Sequence, residues 1–210
     1  MMLLSRTPRH LGRPLALWLL LATQMSGACA WSLNIAAASR RVFLHVGNGT
    51  AEGNNATVNQ VSATLTGAQL LSGAAQAMTS NSTQSRSLYG DGYTTCPTPA
   101  SQIMVGASYR RSNATNGPAS ATLSVNSPAN LTNAGGDTIP FSQISWTVSA
   151  PGSSQPNVIP AGSFSGGMQT LASVPANTYI ENCHSYVYAN SAVRAAGTYT
   201  GQVTYTLSSP

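Results

Sequence analysis

Apolar and polar side chains alternate along most of this chain, and few segments show the three-to-four-residue spacing of an amphipathic helix. Alternation over several residues is typical of a β-strand that buries one face. The pattern predicts strands over residues 42–46, 58–65, 103–109, 121–125, 144–148, 168–174, 179–188 and 199–207. Of the remaining segments, only residues 74–80 could hold a helical turn, and it would be short.

Turn-forming residues separate the predicted strands. Glycine, asparagine and aspartate tolerate positive φ angles and proline fixes φ, so clusters of these residues predict turns. Such clusters lie at residues 47–49, 53–55, 90–92, 116–118, 135–137 and 150–155. Many short strands joined by turns predict an all-β fold, a single antiparallel β-sandwich.

The alternation changes phase near the start of the predicted sandwich. Apolar side chains occupy odd positions up to residue 37 and even positions from residue 42. The odd set is Trp31, Leu33, Ile35 and Ala37, and the even set is Val42, Leu44 and Val46. Because strand side chains repeat every two residues, one continuous strand cannot bury both sets on one face. Two arrangements fit: a mobile arm before a separate first strand, or one strand that bends and contributes to both sheets.

The first thirty residues have the organisation of a secretory signal. Basic residues precede an apolar stretch at 15–22, and Ala28-Cys29-Ala30 supplies the small residues of a cleavage site. Cys29 would also suit a lipoprotein, but Ser26 stands where a large aliphatic residue is expected. We therefore expect a signal peptide over 1–30, an arm over 31–39 and one sandwich domain over 40–210. The apolar stretch is too short to span a membrane, so we expect no transmembrane segment in the exported chain.

Charge argues against nucleic-acid binding. The whole chain has a formal charge of +5, but after residue 30 six arginines against four carboxylates leave only +2, and lysine is absent. A nucleic-acid footprint requires a basic patch that neutralises many phosphates. Only Arg40-Arg41 and Arg110-Arg111 cluster in sequence. Serine, threonine, asparagine and glycine dominate the remaining polar positions, a composition that suits a secreted protein that assembles.

Two cysteines, Cys96 and Cys183, follow the predicted cleavage site. In an exported protein a single pair predicts one disulfide. The loop it closes would span nearly half of the domain, so the chain-entropy model gives the bond about 4 kcal/mol.

Candidate catalytic and metal-binding residues are sparse. His45 and His184 are the two histidines after residue 30, and no two carboxylates lie close in sequence. The segment 162–166 has Phe164 at the centre of a G-x-S-x-G-like pattern and so lacks the nucleophile. Asp91 and Asp137 lie beside glycines, where single carboxylates mostly form turns. We therefore predict no enzymatic activity, no cofactor and no metal site.

The C-terminal segment carries a family resemblance. Ala196-Gly197-Thr198-Tyr199 leads into threonines that alternate with apolar residues up to Leu207. This segment resembles the C-terminal strand of chaperone–usher pilus subunits, in particular the spore coat protein U-like branch. The resemblance covers about a dozen residues.

That resemblance implies a fold and a function. It implies an immunoglobulin-like sandwich that lacks its last strand, which a periplasmic chaperone and then the N-terminal arm of a like subunit supply. It also implies an outer-membrane usher as a partner, passage through the periplasm, and a place in surface fimbriae that support adhesion or biofilm. In an isolated subunit the arm is expected to have no packing partner. The implied inserting residues are Trp31, Leu33, Ile35 and Ala37, and the implied groove-bordering residues are Tyr199, Val203, Tyr205 and Leu207.

Two other functions are compatible with the sequence. The first is a self-contained extracellular binding module, an adhesin or carbohydrate-binding sandwich, in which Tyr89, Tyr93 or Tyr109 would stack on sugars. It predicts that residues 31–46 complete their own sheet. The second is a hydrolase, which would require the two histidines or a carboxylate pair to converge in a pocket.

Overall fold

A computed structural model describes residues 31–48, 58–88, 93–113, 117–148 and 159–209. Fourteen strands and one helix, α1 (Gly67–Ser72), lie within these residues. The strands are β1 (Trp31–Asn34), β2 (Arg41–Val46), β3 (Val61–Ser62), β4 (Gln76–Ala77), β5 (Thr79–Ser80), β6 (Ile103–Arg110), β7 (Ser120–Ser127), β8 (Asn130–Thr132), β9 (Thr138–Pro140), β10 (Ile144–Val148), β11 (Gly162–Ser163), β12 (Gly167–Pro175), β13 (Thr178–Tyr188) and β14 (Thr204–Ser208). Short 3₁₀ turns form at Pro99–Ser101 and Phe141–Gln143.

Two antiparallel sheets form the body, as predicted for an all-β sandwich. The larger sheet has the order β11-β10-β13-β6-β2, and β1 and β4 also pair with β13. The smaller sheet has the order β12-β7-β14. Two further pairs, β3 with β5 and β8 with β9, lie outside these sheets. The prediction of an all-β fold is confirmed.

Six strands are ordered as in an immunoglobulin domain, whereas β12, which pairs with β7 but follows β10 in the chain, has no counterpart there. In chain order β2, β6, β10 and β13 take the places of strands A, B, D and E, which form one sheet of that fold, and β7 and β14 take those of C and F in the other. In an immunoglobulin domain strand G pairs with strand F. Within the described residues, no strand pairs with the free edge of β14.

The main core lies between the two sheets. Alternate residues of the central strands, such as Val105, Leu123 and Ile180, are fully buried there. The opposite face of β6 and β13 is covered by a segment that we call the strap (residues 82–88 and 93–101). Cys96 of the strap forms a second buried cluster with Met104 and Cys183. Because both faces of β6 are covered, Ile103–Tyr109 are buried without alternation.

Most predicted strands form within a residue of their expected ends, and 144–148 forms with the predicted bounds. Three predictions are wrong. The strand expected over 58–65 is limited to β3, the helical turn lies at 67–72 rather than 74–80, and the final strand begins at Thr204 rather than Tyr199.

Local hydrogen bonds account for the position of the helix. The Thr66 hydroxyl accepts from the Gln69 amide at 3.2 Å, and the Gln69 side chain accepts from the Thr66 amide at 2.8 Å. These two bonds make a capping box, which satisfies amides at the helix start. Gly73 then ends the helix with a φ of 65°.

Contacts distant in sequence account for the short final strand. Thr200 exchanges two backbone hydrogen bonds with Thr132, at 2.9 and 3.0 Å, instead of continuing along β7. A Cβ at Gly201 would lie 2.8 Å from the Phe141 ring and 2.9 Å from Leu131. A side chain at this position would therefore displace Phe141 and Leu131, which glycine avoids.

Candidate functional site: the seam between the first and last body strands

The two sheets each end in an edge strand on the same side of the sandwich. Among the described residues β2 pairs only with β6 and β14 only with β7, and β2 and β14 approach within 8 Å between Cα atoms. In the described part of the chain no backbone hydrogen bond joins these two strands. We call this region, lined by β2 and by residues 203–208, the seam.

The apolar residues that line the seam are incompletely covered. The equivalent positions in central strands are fully buried, whereas Val42 is 46% exposed. Partly buried residues from both sides pack against the core here: Leu44, Val46, Val203, Tyr205 and Leu207. Thr204, Thr206 and Ser208 are exposed on the opposite face of β14. An edge strand has no neighbour on one side, which explains why its inward side chains stay half-exposed.

One end of the seam is joined by a polar contact. The Arg40 guanidinium donates two hydrogen bonds to the Ser209 hydroxyl, at 2.9 and 3.2 Å. The start of β2 therefore lies beside the end of β14, and the two strands run in opposite directions. A strand placed between them would be antiparallel to β14 only if it ran parallel to β2.

Tyr205 anchors β14 across the sandwich to β13. Its hydroxyl shares a 3.0 Å hydrogen bond with the hydroxyl of Tyr186. Burial raises the pKa of Tyr205 to about 12, partly opposed by this hydrogen bond, and burial also raises the pKa of Tyr186 well above its usual value. Both hydroxyls therefore stay uncharged, and they hold β14 at the seam.

Tyr199 differs from the other three residues predicted to border a groove. Tyr205 and Leu207 lie in β14 and Val203 directly precedes it, whereas Tyr199 lies before the bridge at Thr200. Its hydroxyl donates to the carbonyl of Ala195 at 2.9 Å. Tyr199 thus supports the loop that leads to the strand.

The arm has a partner within its own chain. Residues 31–34 form β1, which pairs antiparallel with residues 178–181 of β13. The Ile35 amide donates to the Asn177 carbonyl at 2.9 Å, and the Ala38 amide to the Arg111 carbonyl at 3.2 Å. Leu33 is 40% exposed, Ile35 is half-buried and Ala37 is exposed. The expectation that the arm lacks a packing partner in an isolated subunit is therefore wrong.

This pairing explains the change of phase in the sequence. β1 and β2 are separate strands of the same sheet, on opposite sides of the β13–β6 pair. Residues 35–40 cross the ends of β13 and β6 between them. The arrangement with a separate arm segment and first body strand is the one observed, although the arm is paired rather than free.

A carboxylate is buried beneath the strap. Glu181 is 1% exposed and accepts hydrogen bonds from the hydroxyls of Thr95, Tyr179 and Ser87, the last at 3.4 Å. In the sheet register Glu181 is opposite Gly106, which is opposite His45 on the other side. Sequence reasoning did not single out this cluster. The available signal was a glutamate inside a strand that is otherwise mostly apolar or aromatic.

The two histidines lie on opposite faces of the larger sheet. His45 is fully buried on the strap side, whereas His184 faces the main core and stacks parallel to Trp146 at 6.0 Å between ring centroids. The Nε2 atom of His184 is 3.1 Å from the Asn182 side-chain oxygen. Burial lowers the pKa of His184 to about 3, so this ring is neutral at physiological pH. The histidine pair that a hydrolase would require does not converge.

Other predicted groups are placed as follows. Cys96 and Cys183 lie at disulfide distance, with their Cα atoms 5.6 Å apart. The Asp137 side chain accepts from Asn133 at 2.9 Å within the β8–β9 turn. The described residues contain no group of three or more side chains able to hold a metal ion. Asp91 lies outside the described residues.

The proposed aromatic platform for sugars does not form as expected. Tyr109 is fully buried, and its hydroxyl donates to the Pro118 carbonyl at 3.3 Å. Tyr93 is 40% exposed, and Tyr89 lies outside the described residues. Tyr109 therefore cannot stack on a ligand at the surface.

Comparison with known proteins identifies no relative: no family model, curated protein or solved structure matches this chain. No helix among the described residues is long and apolar enough to cross a membrane. The predicted signal peptide, residues 1–30, lies outside the described residues.

Proposed function

We propose that this chain is an exported, pilin-like structural subunit that polymerises by donor-strand exchange into surface fimbriae that support adhesion or biofilm. The observation that carries the proposal is the seam. Within the described residues no backbone hydrogen bond joins its two edge strands, and their inward apolar side chains are half-exposed, at the place where strand G of an immunoglobulin domain would lie.

A donated strand would supply the two things that the seam lacks, which are backbone hydrogen bonds along β14 and cover for its half-exposed apolar side chains. Its backbone would pair with the free edge of β14, and its alternate side chains would cover Leu44, Val46 and Leu207. Adjacent strands lie about 4.8 Å apart, so one strand between two edges needs roughly 9–10 Å. Because β2 and β14 approach within 8 Å, the seam must widen when a strand enters.

The arm of a second copy has the pattern that such an insertion requires. In an extended donated strand Trp31, Leu33, Ile35 and Ala37 would share one face, because strand side chains alternate. Burying each of the larger side chains contributes roughly 1.5–3 kcal/mol. A periplasmic chaperone would protect the seam before assembly, and an outer-membrane usher would order the subunits; both partners follow from the family resemblance.

A peptide experiment tests the proposal. The exported chain, residues 31–210, is unfolded thermally with and without a synthetic peptide of residues 31–38. We expect saturating peptide to raise the Tm by several degrees, because a ligand that binds only the folded state stabilises it. A peptide in which Leu33 and Ile35 are replaced by asparagine is the matched control and should not raise the Tm.

The acceptor site has its own control. Leu44→Asn, which places an amide in the seam, should abolish the effect of the peptide, whereas Thr204→Asn on the exposed face of β14 should not. If the two peptides shift the Tm equally, or if Leu44→Asn leaves the shift unchanged, strand donation at the seam is refuted.

The pairing of β1 with its own β13 favours a second candidate, a self-contained extracellular binding module. In this reading the arm completes the sheet of its own domain and the exported chain is a stable monomer. Prolonged incubation at high concentration followed by size-exclusion chromatography separates the two: a monomer that binds a glycan on an array supports the module, and growing polymers exclude it.

A further inference from the structure

We propose that the edge of β13 at residues 178–181 stores the arm in the free subunit and so holds back its donation to the next copy. We call the pairing of β1 with this edge the latch. The inference rests on the proposed function, since it assigns to the donor arm a second, intrachain binding site.

The latch fills a gap in the sheet. One edge of β13 pairs with β10 along residues 184–188 and with β1 along residues 178–181. The two short strands therefore lie end to end beside the same edge of β13. Without β1 the backbone groups of β13 at this position would form an open strand edge, which favours pairing with another chain. The arm thus protects an edge of the subunit that carries it.

The latch and the seam compete for the same arm. A strand inserted between β2 and β14 would pair along both of its edges, whereas β1 already uses one edge to pair with residues 178–181 of β13. A strand also has only one set of backbone groups on each edge, and those on the β13 side are already used. Donation therefore requires that the bonds made by Ile35 and Ala38 break first.

This competition has a predictable size. When only part of the population can bind, the apparent dissociation constant equals the intrinsic constant divided by the binding-competent fraction. A latch that is closed ten times as often as it is open would slow donation about tenfold. The latch would keep free subunits from polymerising before they reach a site that opens it.

A reversible crosslink tests whether the arm must leave. Asn34 and Thr178 are register partners, and because Ile35 bonds to Asn177 in the adjacent pair, Asn34 and Thr178 form a non-hydrogen-bonded pair. Such pairs have Cα atoms about 4.5 Å apart, within the range of a disulfide. Residues 178 and 183 are five positions apart on β13, so their side chains point to opposite faces of the sheet. A wrong disulfide between a cysteine at position 178 and Cys183 is therefore disfavoured.

We expect the oxidised Asn34→Cys/Thr178→Cys chain to bind the 31–38 peptide but to form no polymers by size-exclusion chromatography. Its reduced form should polymerise. Wild type with and without reductant controls for the Cys96–Cys183 bond, and Asn34→Cys alone controls for the substitution. Polymerisation of the oxidised form at the rate of the reduced form would overturn the latch.

A weakened latch tests whether storage limits the rate. Ala38→Pro removes the amide that donates to the Arg111 carbonyl and leaves the alternate apolar residues of the arm unchanged. The net worth of one hydrogen bond corresponds to about a fivefold change, so this variant should polymerise about fivefold faster. Ala36→Pro is the matched control, because position 36 is exposed and its amide makes no backbone bond in the described chain. Equal rates for the two variants would contradict the proposal.

Failure of the proposed function is distinguishable from failure of the latch. If no form polymerises and the peptide does not bind, strand donation fails. Hydrogen exchange of the Ile35 amide in the wild-type monomer then tests the latch by itself. Slow exchange supports pairing of the arm with β13, and exchange at the rate of an unfolded chain overturns it.

Discussion

The substitution Gly106→Ala tests the buried carboxylate cluster most directly. A Cβ at residue 106 would overlap the Tyr179 hydroxyl and would lie 3.1 and 3.3 Å from the ring atoms Cζ and Cε2. The same hydroxyl donates to Glu181 beneath the strap. The alanine methyl group must therefore displace Tyr179 and remove one donor from a buried carboxylate.

The expected cost has two parts. Loss of a hydrogen bond to a charged group costs about 1.5–3 kcal/mol, and overpacking of a filled interior typically costs about 1–3 kcal/mol. Gly106→Ala should therefore lower the free energy of unfolding by about 2.5–6 kcal/mol. Tyr179→Phe removes only the hydrogen bond and should cost about 1.5–3 kcal/mol. In the Phe background only the ring contacts remain, so Gly106→Ala should cost about 1 kcal/mol there.

Urea unfolding of the wild type, both single variants and the double variant measures the four free energies of unfolding. Together they form a double-mutant cycle, provided that the m-values agree. Gly67→Ala is the control for the change of residue type, because a Cβ at Gly67 meets no atom within 4 Å. It should leave stability unchanged or raise it slightly, by up to about 1 kcal/mol, since alanine favours the helix. Additive effects of Gly106→Ala and Tyr179→Phe within about 0.5 kcal/mol would refute the steric explanation.

Three further predictions concern the body of the sandwich. Because the folded pKa of His184 is about 3 and its unfolded value is 6.5, the unfolded chain binds more protons between these values; lowering the pH from 7 to 5 should therefore cost about 2 kcal/mol in urea unfolding. His184→Gln should remove this pH dependence of the free energy of unfolding. An unchanged pH dependence would contradict its attribution to His184. Replacing Cys96 and Cys183 by alanine should lower the free energy of unfolding by about 4–5 kcal/mol, since the loop they close spans 87 residues. Tyr205→Phe should cost about 1–2 kcal/mol by leaving the Tyr186 hydroxyl unpaired, and Tyr186→Phe in addition should recover part of that loss; a further loss of stability would count against the paired hydroxyls.

Features that depend on near neighbours in the chain could be predicted. Strand β10 has the predicted bounds because Ile144, Trp146 and Val148 alternate with polar residues, and alternation is itself the geometry of a strand. The same reasoning located most of the body strands. The helix at 67–72 also had a local signal in Thr66 and Gln69, but the prediction did not use it.

The candidate site depended on contacts between distant residues. The alternation of Thr204–Ser208 indicates an inward and an outward face, but only the fold places β14 beside β2, with no strand of the described residues paired between them. The C-terminal pattern also extended to Tyr199, and the strand begins later because Thr200 pairs with Thr132. No local pattern could predict that pairing.

The arm and the buried carboxylate show the same division. The phase change after Ala37 indicates either two segments or one strand that bends, because a regular strand keeps a two-residue period. The phase change carries no information about which strand edge the first segment joins. In the tertiary structure it pairs with the edge of β13. Likewise, Glu181 is a charged residue in a predicted strand, and only the approach of the strap and of Tyr179 buries and pairs it. Periodicity specifies which side chains share a face, whereas pairing partners are chosen by the packing of the whole chain.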